Sequence, residues 1–175
     1  MRRGLLGQFP AGVPLTVFAA GTAFYTGIAT ERPATTVLPL DGGAPLPPVG
    51  DTNVIVDGLH AVPDPGRALD ATRRVTSGAR VFALVANAAY AVAVANFLAG
   101  EEVAAGHPIV AADVDELFAA NGWRVIDRVP LIDRQIAGAV LPFTITVRDM
   151  IFTVTSAEIA ERMSSAGFLV VADPT

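Results

Sequence analysis

The chain has 175 residues, of which 52% are hydrophobic, and a formal net charge of −5 at pH 7. This length predicts one domain with a substantial core. The chain has no cysteine and only two histidines, which excludes thiolate chemistry and leaves no spacing typical of a metal site. The twelve basic residues are scattered along an acidic chain, which argues against nucleic-acid binding. All twelve are arginines, and together with abundant alanine, glycine, valine and proline this favours a high-GC source such as an actinobacterium.

No apolar stretch reaches the roughly 18–20 residues that a membrane-spanning helix needs. The most apolar run, residues 81–100, is interrupted by Asn87 and Asn96 and is better interpreted as a strand followed by a helix. We therefore expect a cytoplasmic protein without a membrane segment.

The first fifty residues predict short strands and loops. Residues 1–16 contain three glycines and two prolines and predict an irregular arm. A proline- and glycine-rich loop over residues 41–50 is incompatible with a helix. Between the arm and this loop, three short apolar segments predict strands over residues 15–20, 23–29 and 35–40.

The central segment predicts a strand, a helix and a second strand. Apolar residues from Asn53 precede a polar loop, Asp64-Pro65 is typical of a helix start, and a second apolar strand over residues 80–86 ends at Asn87. Two such strands joined by a helix indicate a right-handed βαβ unit with parallel strands. Ligands of open parallel sheets bind beyond the carboxyl ends of the strands, where His60 and Asn87 fall.

The second half of the chain repeats a pattern of helix, glycine, aromatic residue and strand. The two copies span residues 113–129 and 155–172, and each opens with a capping-box pattern in which a glutamate lies three residues after the first position. Two generic αβ units or an internal duplication would both explain the repeat. Residues 88–98 predict a helix, residues 141–148 a strand, and residues 150–175 an additional helix–strand unit.

Several of these segments resemble the second half of class I S-adenosylmethionine-dependent methyltransferases. The resemblance lies in residues 57–65, the turn over residues 73–80, the strand ending at Asn87, and residues 114–125, and it spans roughly residues 37–130. It implies an α/β fold with a three-layer, Rossmann-like, mostly parallel sheet. Within that fold we expect a reduced N-terminal half and an extra C-terminal αβ unit.

The resemblance also implies an S-adenosylmethionine site at a glycine-rich turn after the first strand. Here the nearest match is residues 17–24, with Gly21 in register and the bulky Phe24 close behind. Only about twenty residues separate Gly21 from Asp41, where the family places a helix, a strand and another helix. The cofactor half is therefore predicted to be truncated or degenerate. In the resemblance, Asp41 matches the acidic residue near the adenine and Glu31 the carboxylate that binds the ribose hydroxyls. A turn aspartate and an ordinary strand exit are the alternatives.

His60 is the candidate catalytic base, because a histidine can take a proton from a substrate hydroxyl or amine near neutral pH. Lining of a pocket and a hydrogen bond to local backbone are its alternative roles. Asn87 and Tyr90 are candidate substrate-binding residues, with a helix N-cap and a packed aromatic ring as alternatives. The resemblance adds His107, in a loop that covers the substrate. Asp57, inside an apolar strand, requires either solvent or a partner such as an arginine.

Three functions follow from these patterns. The first is a non-catalytic, methyltransferase-like pseudoenzyme that acts as a homodimer or as a heterodimer with a related methyltransferase, through an apolar face that needs cover. The second is an active methyltransferase that uses S-adenosylmethionine and a small-molecule substrate through a shortened loop. The third is the binding of another small ligand in the crevice beyond His60 and Asn87.

Overall fold

The computed structural model describes residues 2–10, 12–40, 46–49, 53–76, 78–98, 100, 108–147 and 150–175. The helices are α1 (Arg2–Leu6), α2 (Ala23–Glu31), α3 (Pro65–Val75), α4 (Ala91–Leu98), α5 (Val114–Ala120), α6 (Arg134–Ala137) and α7 (Ala157–Ser164). The strands are β1 (Leu15–Ala19), β2 (Thr35–Pro39), β3 (Asn53–Asp57), β4 (Val81–Ala86), β5 (Trp123–Ile132), β6 (Phe143–Val147), β7 (Met150–Val154) and β8 (Ser165–Pro174).

Six strands form one mixed sheet in the order β2-β1-β3-β4-β8-β5. β1 pairs in parallel with β2 and β3, and β3 pairs in parallel with β4, whereas β8 is antiparallel to both of its neighbours. Five strands therefore share one direction, and the predicted mostly parallel α/β fold is confirmed. β6 and β7 form a separate antiparallel hairpin.

The core lies on both faces of the sheet, which gives three layers. Alternate residues of β1 and β3 face opposite sides, so that Phe18 and Val56 join one cluster while Val17 and Ile55 join the other. The first cluster packs against α3 and α5, and the second packs against α1 and α2. Trp123, fully buried in the first cluster, also donates its indole N–H to the carbonyl oxygen of Leu69 at 3.1 Å.

The segment between β1 and β2 is a helical crossover, and the prediction of a strand over residues 23–29 is wrong. Tyr25 and Ile28, three residues apart, are the buried residues of α2, a spacing that places them on one helix face. Residues 20–34 thus connect two parallel strands, and this length exceeds the roughly 10–12 residues that such a connection needs.

The prediction of an irregular arm over residues 1–16 is wrong for residues 2–6, which form α1. Leu5 and Leu6 of α1 are buried in the second cluster, because this short helix packs its apolar side against the sheet face. The turn that follows α1 is held by Arg32, which lies just after α2. Its guanidinium donates to the backbone carbonyl oxygens of Leu6, Phe9 and Pro10 at distances of 2.6–2.8 Å.

The C-terminal helix–strand unit is present as α7 and β8, and its strand is inserted between β4 and β5 rather than at an edge. The N-cap of α7 is Ser156, whose hydroxyl accepts from the Ile159 N–H at 3.2 Å, and not Thr155. Gly167, the glycine of the second repeat, lies within β8 and not between the helix and its strand. A Cβ there would lie 2.5 Å from the Val85 carbonyl oxygen, so glycine allows β8 to approach β4.

Candidate functional site

The crevice between β1 and β3 is the point where the strand order reverses, because the chain leaves β1 toward β2 on one side and continues with β3 on the other. Open α/β sheets bind ligands at this point, beyond the carboxyl ends of the strands. The loops after β1 and β3 meet there: the Ala20 N–H donates to the Asp57 carbonyl oxygen at 3.0 Å. Gly58 has φ +93°, and a Cβ on it would lie 2.7 Å from the Ala20 Cβ, so this close approach requires glycine.

Gly21 forms the open part of the turn between β1 and α2. It is exposed, and no heavy atom lies within 4 Å of the position that its Cβ would occupy. Thr22, the N-cap of α2, makes no side-chain capping hydrogen bond, which leaves the first N–H groups of the helix without a side-chain acceptor at this cap. Phe24 does not fill the space beside Gly21, since its ring packs edge-on against Tyr25 with centroids 5.1 Å apart. The turn is therefore small and accessible.

Asp57 is a buried carboxylate at the end of β3, and its partners come from both N-terminal helices. Its side chain is 4% exposed, Arg2 Nε donates to Oδ2 at 2.5 Å, and the Tyr25 hydroxyl donates to the same oxygen at 3.0 Å. Burial, followed by the charge of Asp57, raises the pKa of Tyr25, so this phenol stays protonated. The expected arginine partner of Asp57 is thus identified as Arg2.

His60 lies just beyond this carboxylate, in the 3₁₀ turn Leu59–Ala61. Its Nδ1 atom is buried and finds no hydrogen-bond partner among the described residues. Burial lowers the pKa of His60, the charge of Asp57 opposes this change, and the charge of Arg2 adds to it. The imidazole is therefore neutral at pH 7 and able to accept a proton.

Asn87 is buried after β4, and its amide is saturated by backbone groups. Nδ2 donates to the carbonyl oxygens of Arg162 and Ser165 at 3.0 and 2.8 Å, and Oδ1 accepts from the Ala89 N–H at 3.1 Å. The amide thus ties β4 to the start of β8. Asn87 also lines a cavity of about 490 Å³ together with Pro130 and Phe168, and the described residues that line this cavity do not include His60 or Tyr90.

Tyr90, in the segment between β4 and α4, connects that segment to the end of β5. Its hydroxyl donates to Asp133 Oδ2 at 2.9 Å, and partial burial, with this hydrogen bond, raises the pKa of Tyr90. The structure therefore brings Asn87 and Tyr90 to one side of the sheet edge, near β8 and β5, and His60 and Gly21 to the other side, near β1 and β3.

Glu31 is not brought to this edge. It is the exposed last residue of α2, a nine-residue helix, and a helix of that length carries the chain about 13 Å back along the sheet. Its position is a helix end rather than a strand exit. The candidate residues Asp41 and His107 lie outside the described residues.

Arg2 and Tyr25 are the site residues that sequence reasoning missed. The demand of the buried Asp57 for a cation was visible in the sequence, but any of the twelve arginines could have met it. Within the described part of the chain, no group of three His, Asp or Glu side chains is arranged to hold a metal ion. No helix in that part is long and apolar enough to cross a membrane.

Comparison with known proteins gives structural similarity only. No model of a known protein family matches the chain, and no curated protein sequence matches it. Among solved structures, the chain is similar to N,N-8-amino-8-demethyl-D-riboflavin dimethyltransferase from Streptomyces davawensis, with TM-score 0.57 and 15% identity, over 99% of this chain and 53% of that one. It thus spans about half the length of that enzyme.

Two further structures are similar over nearly the whole chain. One is a complex of a Haloferax volcanii methyltransferase activator with a candidate methyltransferase, with TM-score 0.59 and 14% identity, over 99% of this chain and 88% of that one. The other is magnesium protoporphyrin IX methyltransferase from Synechocystis with bound S-adenosylhomocysteine, with TM-score 0.54 and 12% identity, over 99% of this chain and 80% of that one. The chain therefore has the fold of S-adenosylmethionine-dependent methyltransferases.

Proposed function

We propose that this protein is a methyltransferase that binds S-adenosylmethionine in the crevice between β1 and β3 and methylates a small molecule. One observation carries the proposal: the open turn at Gly21 and the loop that holds His60 adjoin at the point where the strand order reverses. The similar structures support it, because they share the fold and one of them holds S-adenosylhomocysteine.

The residues around this turn fit such a cofactor. Gly21 leaves the backbone accessible, and the N-terminal end of α2 favours a negatively charged group such as a carboxylate. The Leu40 N–H donates to the Ala19 carbonyl oxygen at 2.9 Å, which holds the chain after β2 against the end of β1. Asp41 follows Leu40 in sequence, and the resemblance to methyltransferases implies for it the role of the acidic residue near the adenine.

When bound, S-adenosylmethionine would supply an electrophilic methyl group. The chain's own part in the chemistry is to align the acceptor and to take up its proton. His60 is suited to the second task, because burial keeps its imidazole neutral while the residue as a whole remains partly exposed. General-base catalysis of this kind contributes about 100-fold to 10,000-fold in rate.

Turnover tests the proposal. The protein is incubated with S-adenosylmethionine and a panel of small amines and phenols, and released S-adenosylhomocysteine is measured by mass spectrometry. We expect turnover by the unmodified protein, and a fall of about 100-fold in kcat for His60→Gln with little change in cofactor affinity. Equal turnover in both would remove His60 from the mechanism. No turnover with any acceptor, together with no cofactor binding, would favour the second candidate below.

The second candidate is a non-catalytic protein with a degenerate cofactor site that acts through self-association or through a related methyltransferase. It is favoured by large apolar side chains in solvent, including Phe97 at 68%, Val140 at 86% and Ile151 at 70% exposure. Its test is the mass of the protein in solution at tens of micromolar. A dimer would support this candidate, and a strict monomer would exclude a homodimer.

A further inference from the structure

The guanidinium of Arg2 occupies a site built from a carboxylate and aromatic rings. Arg2 Nε lies 2.5 Å from Asp57 Oδ2, and its Cζ lies 5.7 Å from the centroid of the Phe24 ring. The Tyr25 ring packs edge-on against Phe24, and its hydroxyl donates to the same carboxylate oxygen at 3.0 Å. A carboxylate beside an aromatic face is a combination that binds organic cations.

We propose that this cluster is a cation subsite for an amine or amidine group of the methyl acceptor, and that Arg2 is a tethered occupant that the ligand displaces. As an assignment of the acceptor class, the inference rests on the methyl transfer proposed above. The cation subsite itself does not depend on it.

The asymmetry of the ion pair supports displacement. The Asp57 side chain is 4% exposed and the Arg2 side chain 45% exposed, whereas the carboxylates of the other described ion pairs are all at least 25% exposed. A carboxylate buried to this degree needs a cation, because removal of its partner would leave an uncompensated charge. The subsite therefore stays attractive to a cation whenever Arg2 leaves.

Arg2 is placed where it can leave without unfolding the protein. It is the first residue of α1, and Leu5 and Leu6, buried at the other end of the helix, keep the helix docked when the Arg2 side chain turns into solvent. The space that it vacates is continuous with solvent, because nearly half of the side chain is already exposed. A ligand cation can therefore reach Asp57 along the path that Arg2 vacates.

The subsite also lies next to the candidate base. His60 follows Asp57, the last residue of β3, by three residues, and the charges of both Asp57 and Arg2 act on its imidazole. An acceptor anchored by its cationic group on Asp57 would present its neighbouring atoms to His60 and to the turn at Gly21. The alternative is that the ion pair of Arg2 with Asp57 only anchors α1. A displaceable Arg2 gives way to a competing cation, whereas an anchoring Arg2 does not.

The test is calorimetric titration with benzamidine, and with benzamide as a neutral probe of the same shape, in the absence of S-adenosylmethionine. We expect Arg2→Ala to bind benzamidine at least about tenfold more tightly than the unmodified protein, with no gain for benzamide. Adding Asp57→Asn to Arg2→Ala should abolish the gain. The matched control is Arg80→Ala, which removes an exposed ion pair with Asp173 elsewhere on the sheet and should change neither affinity.

Equal benzamidine affinity in Arg2→Ala and in the unmodified protein would overturn the inference and leave Arg2 as an anchor. An equal gain for benzamide would overturn it as well, because binding would then depend on the shape of the probe and not on its positive charge. A measurement on the unmodified chain covers the case in which Arg2→Ala does not fold: benzamidine should shift the Arg2 Nε–H resonance toward that of free arginine, and no shift would refute displacement. Titration of the same samples with S-adenosylmethionine separates the two proposals, since absent cofactor binding would contradict the methyltransferase and leave the subsite standing.

Discussion

The contact between the loops after β1 and β3 predicts a strong effect of Gly58→Ala. Gly58 has φ +93°, a region that costs a residue with a side chain about 1–2 kcal/mol. The added methyl group would lie 2.7 Å from the Ala20 Cβ, well inside the roughly 3.5–4.0 Å at which two carbon atoms rest. Overpacking of this kind costs about 1–3 kcal/mol, so we expect the free energy of unfolding to fall by about 2–5 kcal/mol.

Gly78→Ala is the matched control, because Gly78 has φ +87° and no heavy atom within 4 Å of its Cβ position. It should therefore show only the backbone cost, about 1–2 kcal/mol. The assay is urea unfolding of the two variants and the unmodified protein, with the midpoints compared at equal slope. If Gly58→Ala destabilises the protein no more than Gly78→Ala does, then the loops do not touch as described and the crevice is built differently.

Four further predictions concern stability. Trp123→Phe should lower the free energy of unfolding by about 1–2 kcal/mol in urea titrations, because the Leu69 carbonyl loses its indole donor; an unchanged midpoint would contradict this hydrogen bond. Arg32→Ala should speed hydrogen exchange in residues 2–10 selectively, and uniform exchange across the chain would argue against its anchoring role. The folded-state pKa of Tyr25 is raised, so the contribution of its protonated hydroxyl to the free energy of unfolding is complete below about pH 10 and is lost as the pH rises further. Tyr25→Phe should weaken this alkaline loss of stability in urea titrations. The folded-state pKa of His60 is lowered, so stability is lost as the pH falls below about 6.5, and His60→Gln should flatten thermal stability measured between pH 7 and 5.

The central βαβ unit could be predicted from sequence because its signals are local. Asp64 accepts from the Arg67 N–H at 2.9 Å with Pro65 directly after it, as the Asp-Pro pattern indicates. Outside this unit, the glycine of the first helix–glycine–strand repeat, Gly122, takes φ +76° just after α5, as a left-handed cap requires. Chain order and local chemistry were sufficient for these features.

The features that sequence reasoning missed depend on long-range contacts. Residues 23–29 form a short apolar run whose periodicity does not separate a helix from a strand, and packing of Tyr25 and Ile28 on the sheet decides for the helix. The insertion of β8 between β4 and β5 is a matter of strand order, which no local pattern records. For the site, the position of His60 after β3 could be predicted, but its environment could not, because Arg2 and Asp57 are 55 residues apart.

The central claim is a cofactor site at the turn between β1 and α2, and calorimetric titration with S-adenosylmethionine tests it most directly. The unmodified protein is compared with Gly21→Val and with Gly27→Val; both glycines are exposed, lie outside the left-handed region and have no heavy atom within 4 Å of their Cβ positions. We predict micromolar binding by the unmodified protein, loss of binding in Gly21→Val and retention in Gly27→Val. Absence of binding by the unmodified protein, or binding that Gly21→Val leaves unchanged, would contradict the site.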